Sequence, residues 1–176
     1  VYPAIIAGAG TTVIVKGTGS TAERNFFAVG INCWDAGSQK GTLILEKAKA
    51  GGEANAIYVN AAPGASQEDI LNSLPDIVVG ELVAKNEDFI WNSYDNGLYG
   101  NDPEDETIGE LNEKIYATIR YMIRWNNSEG GSFSVNGTSK YGEYDVAQEN
   151  QELGITIQIA EGYELESISG GKAQVL

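Results

Sequence analysis

Four short segments in the first half of the chain end alike: "AIIAG" at Gly8, "AVGIN" at Asn32, "AIYVN" at Asn60 and "DFIWN" at Asn92. One and three places before each closing residue stand Ala7 and Ile5, Ile31 and Val29, Val59 and Ile57, and Trp91 and Phe89, all of them apolar. The residues in between vary: Ile6, Gly30, Tyr58 and Ile90. An apolar, variable, apolar pattern is that of a strand with one face always buried.

The closing residues lie 24, 28 and 32 positions apart, and a second apolar segment falls in each interval: "TTVIVKG" from Thr11, "GTLILEK" from Gly41 and "DIVVGELV" from Asp76. Each repeat therefore holds at least two strands. The link from closing residue to second strand lengthens down the chain, so one corner absorbs insertions. Repeats of this size built from strand-sized runs point to a solenoid with stacked turns. Residues 1–100 are accordingly expected to form a short right-handed parallel β-helix. Independent hairpins are the alternative, since three unequal intervals are few.

Composition narrows the function classes. With no histidine and only Cys33, the chain can build neither a Cys/His zinc cluster nor an internal disulfide framework, and histidine catalysis is excluded. Eleven Lys and Arg against 25 Asp and Glu give a formal charge of −14, which repels phosphate backbones and argues against nucleic acid as a partner. The same charge keeps exposed β-structure soluble. No apolar run reaches the ~20 residues that span a bilayer, so membrane insertion by a helix is not expected. The start at "VYPAII", without Met or a basic targeting segment, reads as an excised piece of a longer, processed protein.

Two insertions carry helix signals. In "SQEDILNSLPD", Ser66 and Asp69 make a capping box and Pro75 stops the run. In "DPEDETIGELNEK", Thr107 and Glu110 make a second box with an acidic first turn, so residues 101–113 read as an acidic loop and a helix capping the solenoid. Beyond it, "IYATIRYMIRW" alternates over eleven residues and reads as one long strand, although Ile115, Ile119 and Met122 also share a helical face. The remainder holds short alternating segments between glycine turns, with Phe133, Val135, Ile155, Ile157, Ile159, Leu165 and Ile168 as the expected core. Residues 114–176 are thus expected to be a small antiparallel β-sandwich-like module.

Here a resemblance enters. "GGSFSVNGT" followed by "NQELGITIQIAEGYELESISG" resembles the small β-modules repeated in large secreted and surface-anchored bacterial proteins. The first hundred residues resemble the parallel β-helix passengers of bacterial adhesins and autotransporter-like proteins, by pattern more than by motif. The resemblance implies an extracellular or cell-surface, adhesin-like or structural fragment of a longer parent chain. A glycan or a host or microbial surface protein would be its partner. It carries no catalytic motif and calls for no cofactor.

Because parallel β-helices also include polysaccharide lyases and hydrolases, the carboxylates need weighing. Asp35 and Asp95 each lie three residues after a closing asparagine. Two turns apart they would stand ~9.6 Å from each other, near the upper end of the ~6.5–9.5 Å used by inverting glycosidases. Both sit in "WDAG" and "YDNG", however, and Asp in such contexts is ordinarily a turn residue. Catalysis is not expected. Trp34 and Tyr94 follow their asparagines at matching offsets and Tyr58 joins them on the variable face, so an aromatic strip for sugar rings is the alternative function, carbohydrate binding or cleavage. Packing of the corner by the same rings is the plainer account. The acidic loop bearing Asp95, Asn101, Asp102 and Asp105 offers calcium ligands but lacks the regular alternation of a calcium motif. The sequons at Asn126 and Asn136 read as turn residues.

Overall fold

The computed structural model describes residues 5–7, 11–16, 18–19, 29–33, 40–51, 55–62, 65–83, 90–94, 98–99 and 106–167. In chain order these hold β1 (Ile5–Ala7), β2 (Thr12–Val15), β3 (Thr18–Gly19), β4 (Val29–Cys33), β5 (Thr42–Lys49), β6 (Ile57–Ala61), helix α1 (Gln67–Ser73), β7 (Asp76–Val83), β8 (Ile90–Tyr94) and β9 (Leu98–Tyr99). Helix α2 (Glu106–Tyr116) is followed by β10 (Arg120–Met122), β11 (Gly131–Asn136), β12 (Ser139–Tyr141), β13 (Tyr144–Gln148) and β14 (Gly154–Ile159). The protein is mainly β.

The chain deals its strands to two larger sheets. One runs β1-β4-β6-β8-β9, parallel until β9 turns back on β8. The other runs β2-β5-β7-β10-β13-β12, parallel through β10 and antiparallel beyond it, with β3 also pairing on β5. Both are mixed sheets rather than the parallel solenoid expected from the repeats. The antiparallel strands that end each parallel run were invisible as such, because alternation sets a strand's buried face but not its direction.

The register agrees with the repeats at three of the four segments. Ile5 pairs with Val29 and Val29 with Ile57, while Ile31 pairs with Val59. The fourth segment is shifted by one: Ile57 pairs with Ile90 and Val59 with Asn92, so Trp91 stands beside Tyr58 rather than in the Ile31–Val59 row. "DFIWN" is apolar at three consecutive positions, and such a run does not declare its phase. A slip of one residue exchanges the faces of a strand.

Alternate residues of the two sheets meet in one core. Val29, Ile31, Ile57 and Val59 of the first sheet and Leu43, Leu45, Ile77 and Val79 of the second belong to the same cluster, none more than 3% exposed. Each such side chain contributes about 1.5–3 kcal/mol by leaving water. Part of the second sheet's other face is covered as well, while Ile14 at its β2 edge is 47% exposed. In the covered part Ile44, Val78 and Val146 cluster under Met122, Tyr141 and Tyr144, because the β12–β13 hairpin and β10 extend that sheet and fold their side chains over it. The hairpin turns in two residues, with Gly142 at φ 59° supplying the positive angle its first position needs.

Helix α1 starts as expected. The Asp69 N–H donates to Ser66 Oγ and the Ser66 N–H donates to the Asp69 carboxylate, both at 3.1 Å. Ile70 on its inner side, and Leu74 just after its end, enter the main core. Helix α2 departs from expectation at both ends. It begins at Glu106 with Thr107 already inside it, and it runs to Tyr116 through what read as the start of a long strand. Leu111 and Ile115, four apart on α2, and Ile119 just beyond its end are all fully buried. The core thus draws on the helical period of this segment, overriding its β-branched content. Only Arg120–Met122 remain as strand.

The expected C-terminal core is also absent. β11 and β14 form an antiparallel two-stranded ribbon of their own. Ile155 is 67% exposed, and Ile159, Tyr163 and Leu165 are exposed too. Ile168 lies outside the described residues. The alternation marked real strands with an apolar face, but it carried no information on what covers that face.

Candidate functional site

Of the five residues expected to contact a ligand, Trp34, Asp35 and Asp95 lie outside the described residues, as do Asn101, Asp102 and Asp105 of the acidic loop. Tyr94 closes β8, its backbone paired with Leu98. Tyr58 is placed fully. It occupies the variable position of β6, half-buried, between core residues Ile57 and Val59. The register sets Trp91, not Tyr94, next to it, with Gly30 on its other side. The register neighbour of Tyr58 is therefore a residue that had been assigned to the core.

A short amide row accompanies it. Asn32 and Asn60 are register partners, and the Asn60 side-chain amide donates to Asn32 Oδ1 at 3.4 Å. The Tyr58 hydroxyl also donates to Asn60 Oδ1 at 3.4 Å. In the next strand the position belongs to Ser93 instead of Asn92, by the same one-residue shift. Parallel pairing in register makes such a row, since equivalent positions fall side by side at ~4.8 Å. A phenol edge beside carboxamides offers a flat apolar face together with donors and acceptors, the chemistry a sugar ring requires.

On the outer side of the second sheet is a broad open cleft of about 430 Å³, lined by Lys16, Glu46, Met122, Arg124, Glu143 and Tyr144 among others. Tyr144 reaches from β13 to β5, and its hydroxyl donates to Glu46 Oε1 at 2.6 Å. That bond, with burial next, raises the phenol to about 12. Between β13 and β5 lie β10 and β7, and β7 has Gly80 at this point. A Cβ on Gly80 would stand 2.6 Å from the Glu46 carbonyl oxygen and 3.1 Å from Met122 Sδ. Beside the cleft, the Tyr141 hydroxyl lies 3.2 Å from Asp76 Oδ2 and 3.1 Å from Thr42 Oγ1. Arg120 stacks 5.3 Å from the Tyr141 ring centre and lies 3.6 Å from Asp76. These groups are spent on holding the hairpin to the sheet. Sequence reasoning missed the cleft because Tyr144 and Glu46 are 98 positions apart and neither stands in a motif.

Cys33 is buried and its thiol is pushed up to about 12 by burial, the reverse of what a nucleophile needs. Among the described residues no group of three or more His, Cys, Asp or Glu is placed to hold a metal ion. Among them, too, no helix is long and apolar enough to cross a membrane. Compared with protein-family models, with curated proteins and with solved structures, the chain matches none.

Proposed function

We propose that the chain is a module of a bacterial cell-surface or secreted protein, adhesin-like or stalk-forming, built on a short two-sheet stack of the parallel β-helix kind. The observation that carries this reading is the alternation of strands between two sheets in parallel register: β1, β4, β6, β8 on one side and β2, β5, β7, β10 on the other. Such a frame adds length turn by turn around one continuous core and leaves its corners free to vary. It is a shape for holding recognition groups at a distance. The high negative charge suits a partner that is not a phosphate backbone.

Carbohydrate binding is the more specific form of this reading, and the row of Asn32, Asn60 and Tyr58 favours it. A screen of the folded chain against host and microbial glycans tests it. Saturable binding is expected, weakened by ~1–3 kcal/mol when Tyr58→Ala removes a stacking anchor. Binding that Tyr58→Ala leaves unchanged contradicts the assignment of the row. A chain that binds no glycan and no surface protein is a spacer. Turnover is not part of the proposal: no release of product from pectin or other polysaccharides is expected. Product whose formation Asp35→Asn or Asp95→Asn abolishes would establish an enzyme instead.

A further inference from the structure

Met122 is the only methionine of the chain and the last residue of β10. Its side chain packs on the small cluster of Ile44, Val78 and Val146. It is half-buried and lines the open cleft, so it meets the core on one side and solvent on the other. Two contacts fix its sulfur. A Cβ on Gly80 would stand 3.1 Å from Sδ, so the sulfur rests over the space this glycine leaves. From Arg124, Nη2 donates to Sδ at 3.3 Å.

That donor and that acceptor are unequal. A guanidinium is among the strongest donors in a protein and a thioether among the weakest acceptors. Carboxylates line the same cleft, yet Asp145 is held by Lys140 at 2.8 Å and Glu46 accepts from the Tyr144 hydroxyl at 2.6 Å. Among the described residues Arg124 takes part in no ion pair. An oxygen on the sulfur would give the guanidinium a polar acceptor in place of a weak one.

We infer that Met122 is a modification site for hydroperoxides, whose oxygen it takes up as the sulfoxide, and that Arg124 is the positioning residue that holds this oxygen. In the step a sulfur lone pair forms the S–O bond as the O–O bond of the peroxide breaks. The other peroxide oxygen leaves with the bonding pair, collects the proton of the transferred oxygen, and departs as water or an alcohol. The thioether is oxidised by two electrons and the peroxide reduced by two. Because the sulfur is covered toward Gly80 and approached by Arg124 from the cleft, its two lone pairs are not equivalent, and one sulfoxide epimer forms in excess. Cys33, the other sulfur, does not compete: it is buried, and a thiol raised to about 12 holds almost no thiolate.

Dilute hydrogen peroxide acting on the full chain, read by intact mass and peptide mapping, tests this. One oxygen is expected, on Met122, taken up by the native protein within about tenfold of the rate of the urea-unfolded chain. Met122→Leu, which conserves volume, takes up none. Circular dichroism is the same before and after oxidation. The epimer excess is read by treating the unfolded product with each of the two epimer-specific methionine sulfoxide reductases. Oxidation raises the urea unfolding constant at least about tenfold more in Arg124→Ala than in the parent, because the variant leaves the sulfoxide oxygen without its charged donor. Uptake only as fast as the chain unfolds, or oxidation that abolishes the native signal, overturns Met122 as a site. Equal amounts of the two epimers, or an equal cost of oxidation in Arg124→Ala and the parent, overturns the part assigned to Arg124.

Discussion

Burial pushes the Cys33 thiol up to about 12, and the hydrogen bond to Glu46 does the same for the Tyr144 phenol. Both groups are acids held in their neutral form, so the fold binds these protons more tightly than the unfolded chain does. Their contribution is complete below the ordinary values, near ~8.5 for a thiol and ~10 for a phenol, and is lost as pH rises through about 12. Stability is expected to be level around neutrality and to decline in that alkaline window, with Tyr144→Phe flattening the upper part of the decline. Equilibrium urea unfolding at stepped pH reads this. Asp69 has the opposite sign. The Ser66 hydrogen bonds lower its carboxyl below the ordinary 3.8, so its contribution is present above that value and lost as pH falls through the lower, folded one. Cys33 is expected to be inert to a disulfide reagent in the native protein and to react once the chain is unfolded. Rapid native labelling would show that β4 does not bury this side chain.

Individual elements were legible where a signal had one reading. The box of Ser66 and Asp69 with Pro75 behind it specifies α1. Ser66→Ala is expected to cost about 1 kcal/mol in chemical denaturation. Where two periods fit, the sequence did not decide. Ile115 and Ile119 satisfy both a strand and a helix, and it is the packing of Leu111 and Ile115 into the core that goes with the helix, Ile119 entering the core just beyond its end. The phase of β8 was hidden by its run of apolar residues, and the cleft by the distance along the chain between its walls. Gly80 read as one more strand residue, yet its lack of a side chain is what lets β5 and β7 close at Glu46. Gly80→Ala is expected to destabilise by about 1–3 kcal/mol, because the atom it must displace is backbone. A variant as stable as the parent would show that the two strands can part there without loss.

At the scale of the whole molecule, two parallel runs share one core, and a ribbon with an unshared apolar face stands outside it. The first was readable from repeated segments; the second was read as a core because alternation reports a face without its cover. Val59 sits at the centre of the shared core, 1% exposed. Val59→Asp would bury an unpaired carboxylate at a cost of about 3 kcal/mol or more and is expected to unfold the stack as a unit, seen as a lowered melting temperature and lost near-ultraviolet signal. The account rests most on the parallel register of the first sheet, and backbone and side-chain nuclear Overhauser contacts measured on the labelled chain test it directly. The expected result is contact of Ile31 with Val59 and of Tyr58 with Trp91, with the cross-strand pattern of parallel pairing and without the close Hα–Hα contacts of antiparallel strands. Contacts of Trp91 with Val59, or antiparallel Hα–Hα contacts between β4 and β6, would contradict it.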